Sequence, residues 1–187
     1  MQLAMVGLGR MGANLSRRLM RAGHACVVYD SDPAAVQRLV AEGATGAASL
    51  DAAVAALAPP RTVWVMLPHG EPTEQAVMAL GALLAAGDAV SDGGNTHYPD
   101  DARRARTLAA RGVHYLDIGT SGGVWGLDRG YCLMIGGEEA VVRRLDPVFA
   151  ALAPGAGDIP PTPHRDGRDG RPGRGYVHAG PNGAGHF

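Results

Sequence analysis

The sequence predicts an α/β fold, a doubly wound and mostly parallel sheet with helices on its faces. Three observations predict it. Strand-like and helix-like segments alternate from the first residue, as they do when parallel strands are joined by crossover helices. The first strand runs into Gly7-Leu8-Gly9-Arg10-Met11-Gly12, a glycine-rich turn that opens a helix. Small-residue clusters then recur at the ends of later strands, at Ser91–Thr96 and Gly119–Gly123.

The elements follow in order. Gln2–Val6 is a short apolar run of the kind a fully buried strand shows. Met11–Ala22 carries apolar residues at helical spacing and meets Gly23, a C-cap residue. Ala25–Tyr29 reads as the second strand. Asp32-Pro33 opens a helix with a cap residue and proline at its first position, and Gly43 closes it. Leu50–Ala58 is helical by composition and is stopped by Pro59-Pro60; Thr62–Leu67 is a strand. Glu71–Ala86 is helical, Ala89–Ser91 a short strand and Asp100–Ala110 another helix. Val113–Ile118 and Tyr131–Ile135 are strands, Glu138–Leu152 is one long helix, and Tyr176–Ala179 is a last strand. Between them, Pro154–Gly175 is rich in Gly, Pro, Arg and Asp, with the stutter Arg165-Asp166-Gly167-Arg168-Asp169-Gly170. Too little apolar surface is available there for independent folding, so it reads as a loop or linker. This divides the chain into a domain at 1–153, a linker at 154–175 and a terminal piece at 176–187.

Composition bounds the chemistry. Among 187 residues there is no lysine: all 17 basic residues are arginine. A lysine base, a lysine Schiff base or a phosphate-gripping Walker lysine is therefore excluded from this chain. The length suits one ordinary domain and a fragment of a second. A net charge of −1 gives no electrostatic footprint for nucleic acid or an anionic membrane. No apolar run reaches the roughly 18 residues of a spanning helix, and a soluble, cytoplasmic protein is expected. Cys26 and Cys132 lie in apolar runs and are expected to be small buried hydrophobes, not a disulfide.

The glycine turn has the context of a dinucleotide-binding, Rossmann-like fingerprint. Gly7 permits the tight turn, Gly9 lets a pyrophosphate approach the backbone, and Gly12 allows close helix–strand packing. The helix N-terminus supplies unpaired N–H groups for the phosphates, which makes Gly7, Leu8, Gly9, Arg10, Met11 and Gly12 the cofactor-binding candidates. An acidic residue, Asp30, ends the second strand about 18 residues beyond Gly12. Its carboxylate suits ribose hydroxyls and repels a 2′-phosphate, and no arginine directly follows, so NAD is favoured over NADP. The competing readings are that Asp30 merely caps the next helix, and that the fold binds S-adenosylmethionine. Against them stand Asp32, the better-placed cap, and the full three-glycine spacing.

Met5–Gly12, Asp92-Gly93-Gly94-Asn95, the run Asp117–Gly126, Gly130–Gly137 and the closing Gly183-Ala184-Gly185-His186-Phe187 together resemble 6-phosphogluconate dehydrogenase, in its short, decarboxylating, NAD-preferring bacterial branch. The resemblance covers essentially the whole chain. It implies hydride transfer from C3 of 6-phosphogluconate to NAD, then loss of the carboxylate and protonation to ribulose 5-phosphate. It further implies that Asn95 touches substrate and nicotinamide, and that Ser121, Gly122 and Gly123 hold the substrate carboxylate and a neighbouring hydroxyl. Val65, Met66, Leu67 and Pro68 would line the cofactor cleft. In the family, the base lysine, a His-Asn pair, an acidic proton donor and a phosphate-binding tyrosine follow the Gly-Ala-Gly-His-Phe motif, and an all-helical domain supplies most of a homo-oligomer interface. None of these is in this sequence. His186 has no orienting partner visible in the sequence and is not read as a substitute base. The expectation is thus an oxidoreductase's cofactor half, inactive alone. The alternatives are an NAD-binding module from a truncated gene, or a related β-hydroxyacid dehydrogenase.

Overall fold

The computed structural model describes residues 1–157, 160 and 169–187. One eight-stranded sheet runs through them in the order β3-β2-β1-β4-β5-β6-β7-β8. The strands are β1 (Gln2–Val6), β2 (Ala25–Tyr29), β3 (Thr45–Gly46), β4 (Thr62–Val65), β5 (Ala89–Asp92), β6 (His114–Ser121), β7 (Cys132–Gly137) and β8 (Tyr176–Gly180). All neighbours are parallel except β6 and β7, which pair antiparallel. The helices are α1 (Arg10–Arg21), α2 (Pro33–Ala41), α3 (Leu50–Ala55), α4 (Glu71–Leu83), α5 (Tyr98–Ala109), α6 (Gly126–Arg129), α7 (Glu139–Arg144) and α8 (Asp146–Leu152).

Side-chain alternation puts two cores on the two faces of the sheet. Leu3, Met5, Cys26, Val28, Trp64, Leu116 and Ile118 share one core with α1, α2, α7 and α8. Ala4, Val6, Val27, Val63, Val65, Val90 and Tyr115 face the other way, onto α3, α4 and α5. With both faces covered, strands read as continuous apolar runs, which is why they stood out in the sequence. Connections reverse direction between β1 and β4. A doubly wound sheet opens a crevice there, beyond the carboxyl ends of its strands.

Several local expectations are corrected. The single helix at 138–152 is two, broken at Leu145, because Pro147 lacks an N–H to continue the first ladder. Cys26 is buried, but Cys132 is exposed. It opens β7 one residue before β8 begins to pair opposite Leu133, and it shares its face with the part-exposed Met134. The two-residue β3 and the turn of helix at Gly126–Arg129 are too short for periodicity to reveal. Of the 154–175 segment, Pro172–Arg174 forms a 3-10 turn and Gly155 donates to the Arg174 carbonyl. Residues 165–168 of the stutter lie outside the described residues. The terminal Tyr176–Gly180 strand is the edge of the same sheet.

Arg18 ties α1 to the far half of the sheet. Its guanidinium donates to the carbonyls of Ala151, Leu152 and Ala153 at 2.8–3.0 Å and to that of Leu127 at 3.2 Å. The helix that opens at the glycine turn is therefore fixed against both α8 and α6.

Candidate functional site

At the end of β1 the chain turns through Gly7 and enters α1 at Gly9. A side chain at Gly12 is impossible, since its Cβ would stand 1.9 Å from the Gly7 carbonyl oxygen. Gly9 is the opposite case: a Cβ there meets nothing within 4 Å. Gly9 thus leaves open space that a side chain would occupy. No side chain caps α1 and no acidic residue sits in its first turn. The first ladder bond is donated by Ala13 to Gly9, which leaves the N–H groups of Gly9, Arg10, Met11 and Gly12 for an anion, whereas that of Leu8 is taken by Asp30.

The turn is tied to the end of β2. Gly7 N–H donates to the Tyr29 carbonyl at 2.9 Å, and Leu8 N–H donates to Asp30 Oδ2 at 2.6 Å. Asp30 Oδ1 accepts from Asp32 N–H at 2.8 Å. Asp32, not Asp30, caps α2, by accepting from Ala34 N–H. Asp30 Oδ1 also accepts from Ser31 Oγ at 3.4 Å, and Asp30 lines a hollow of about 450 Å³ with Tyr29, Ser31, Pro33, Val36 and Gln37.

A second cavity, of about 500 Å³, joins what the sequence holds apart. Gly9, Arg10, Met11 and Gly12 line one side; Met66, Leu67, Pro68 and His69 follow β4; Gly93, Gly94 and Asn95 follow β5; Thr120 and Gly123 come from the third cluster. Val65 ends β4 and is buried beneath. Ser121 and Gly122 are exposed beside the cavity without lining it. Sequence reasoning did not single out His69 or Thr120 as site residues. Thr120 lay within the quoted glycine run, whereas His69 gave no signal beyond following Pro68.

The Asn95 turn is shaped from below by a buried carboxylate. Asp92 accepts Gly94 N–H at 2.9 Å on Oδ1, and Thr96 Oγ1 at 2.6 Å, Tyr115 Oη at 3.1 Å and Arg104 Nη1 at 3.2 Å on Oδ2. Tyr115 also reaches Asp101 at 2.8 Å, and Asp101 pairs with His186 Nδ1 at 2.9 Å. His186 thus has the orienting partner that the sequence did not show, and its imidazole is 4% exposed. Burial works to lower the His186 pKa, yet the Asp101 hydrogen bond and charge raise it on balance. Asp117 closes the same corner by accepting Gly183 and Gly185 N–H at 2.7 Å. Asp101, Asp117 and His186 offer ligand-type atoms within 4.8 Å of one another. Asp101, Asp117 and His186 Nδ1 are engaged in this hydrogen-bonded corner, while His186 Nε2 is buried with no partner among the described residues.

Residues 2–158 match the family model described as the NAD binding domain of 6-phosphogluconate dehydrogenase. The chain belongs to that family. Among its relatives, the NAD(+)-dependent, decarboxylating 6-phosphogluconate dehydrogenase of Haloferax volcanii is 36% identical over 187 residues, which are the whole of this chain and 56% of that protein. Among solved structures, a Mycobacterium tuberculosis 3-hydroxyisobutyrate dehydrogenase superposes with a TM-score of 0.82 at 28% identity, over 99% of this chain and 56% of that one. The Plasmodium falciparum 6-phosphogluconate dehydrogenase shares the fold, with a TM-score of 0.83 over 100% of this chain and 38% of its own. The chain spans about half the length of the curated relatives it matches. As a 6-phosphogluconate dehydrogenase NAD-binding domain, it carries a Rossmann-like fold, and the helix entrance and Asp30 hollow fit a dinucleotide.

Proposed function

We propose that this chain is the cofactor-binding portion of a decarboxylating 6-phosphogluconate dehydrogenase that uses NAD. The observation that carries the reading is the single cleft joining the fingerprint turn, the Asn95 turn and the third glycine cluster. The donors at the start of α1 would hold the pyrophosphate, and Asp30 would accept from the adenosine ribose hydroxyls. Met66, Leu67, Pro68 and Asn95 would flank the nicotinamide, with Asn95, Ser121, Gly122 and Gly123 on the side open to the sugar acid. When bound, NAD would supply the hydride acceptor for oxidation of the substrate's C3 hydroxyl. Among the cleft-lining residues the one imidazole, His69, is exposed and no described hydrogen bond orients it, and no carboxylate, lysine or tyrosine lines the cleft to move the hydroxyl proton. Turnover of 6-phosphogluconate is therefore not expected from these 187 residues alone. The relation to 3-hydroxyisobutyrate dehydrogenases supports a second reading, in which the same cleft serves a smaller hydroxy acid.

Asp30 tests the cofactor choice. Each phosphate-free ribose hydroxyl bonded by a carboxylate is worth roughly 1.5–3 kcal/mol. Asp30→Ala should weaken NAD and relieve repulsion toward NADP, narrowing the affinity gap that calorimetry measures with the unmodified chain. An unchanged ratio would confine Asp30 to holding Leu8. The chosen substrate is checked by adding 6-phosphogluconate or 3-hydroxyisobutyrate to the NADH complex. The first should bind and the second should not; the reverse favours the smaller acid.

A further inference from the structure

Arg104 is buried on α5, with its side chain 2% exposed, and it does not touch the cleft. Its Nε donates to Glu74 Oε2 at 2.7 Å, while Nη1 donates to Asp92 Oδ2 and to Thr96 Oγ1, each at 3.2 Å. Glu74 lies in the first turn of α4, and Arg103 grips the same carboxylate with two further bonds of 2.7 Å. One planar guanidinium therefore joins two elements that enter the cleft from different strands.

Both elements end in cleft walls. Ahead of α4 lies Met66–His69, and Thr73 on its first turn donates to the Pro68 carbonyl at 2.8 Å. Ahead of α5 lies the Gly93–Asn95 turn, which Asp92 shapes through Gly94 and Thr96. The walls meet without slack: a Cβ on Gly94 would fall 2.9 Å from the Leu67 carbonyl, and one on Gly93 would fall 2.3 Å from Trp64 Nε1. No hydrogen bond described for these residues holds the Asn95 side chain itself. Its place depends on the backbone that Asp92 and Arg104 fix from beneath.

We propose that Arg104 is a positioning residue for the cofactor cleft, bridging Glu74 to Asp92 so that the Met66–His69 and Gly93–Asn95 walls keep the spacing the nicotinamide end requires. This rests on the reading of the cleft as an NAD site. A dinucleotide with its pyrophosphate on α1 and its adenosine toward Asp30 puts its other end between these walls. Glu74 stays charged for the role, since the Arg103 hydrogen bond outweighs burial and takes its carboxyl down to about 2.

ADP-ribose, which lacks the nicotinamide, separates positioning from a merely structural role. Affinities for NADH and ADP-ribose are measured by calorimetry on the whole chain and on Arg104→Met, Arg104→Lys, Glu74→Gln and Thr96→Val. Arg104→Met should lose at least about tenfold in NADH affinity, with ADP-ribose held within about twofold. Arg104→Lys keeps the charge but not the fork, and should fall between Arg104→Met and the unmodified chain. If Arg104→Met does not fold, Glu74→Gln and Thr96→Val decide, each expected to weaken NADH selectively. Equal loss of both ligands, or no loss of either in a folded variant, overturns the role of Arg104 while leaving the NAD site intact. Failure of the unmodified chain to bind either ligand overturns the NAD reading itself, and Arg104's role with it.

Discussion

Asp30 and His186 show how far a residue's meaning depends on what it touches. Asp30 could be read in the sequence as a cap or as a cofactor ligand. Its bonds to Leu8 and Asp32, with Asp32 doing the capping, remove the first alternative. His186 carried no visible partner because Asp101 lies 85 residues earlier, on α5. Asp101 itself is pushed up by burial, and Tyr115 Oη and His186 Nδ1 both lie within hydrogen-bond distance of it. The His186 pKa is raised, so its pairing stabilises fully below the free value of 6.5 and is lost as pH rises through the folded value. An imidazole titration followed by NMR should give a midpoint above 6.5 in the unmodified chain, and a lower one in Asp101→Asn. A midpoint at or below 6.5 would show that burial, and not Asp101, governs this side chain.

At the scale of elements, most of the fold could be read from the sequence, and the reason is the covered sheet. Apolar runs such as Gln2–Val6 and Ala25–Tyr29 are buried on both faces, so composition alone marked them. What could not be read was short or cooperative: the two residues of β3, the break before Pro147, and the exposure of Cys132 where β8 has not begun. The site was legible as three clusters and not as one cleft, because spacing along a chain does not say which strand ends adjoin. The helix α1 offers a paired test of its entrance. Gly12→Ala should abolish folding or cost several kcal/mol, on the order of the larger single-site losses, because its Cβ meets backbone at 1.9 Å. Gly9→Ala, in open space with an ordinary backbone angle, should keep the melting temperature and lose NADH. Calorimetry with thermal unfolding checks both, and a Gly9→Ala chain that binds NADH normally would remove the phosphate from this turn.

Across the whole molecule, the sheet order brings the ends of β1, β4, β5 and β6 side by side at the point where the winding reverses. The cleft is a consequence of that order, and the family assignment agrees with it. The missing lysine now has a structural context. The cleft's described lining holds one imidazole, the exposed His69, and no carboxylate, lysine or tyrosine. The most direct test of the cofactor assignment is a calorimetric titration of the purified 187-residue chain with NADH. One saturable site per chain, competed by NAD, is the expected result. No saturable binding up to about millimolar NADH, a standard free energy near −4.1 kcal/mol, would contradict it.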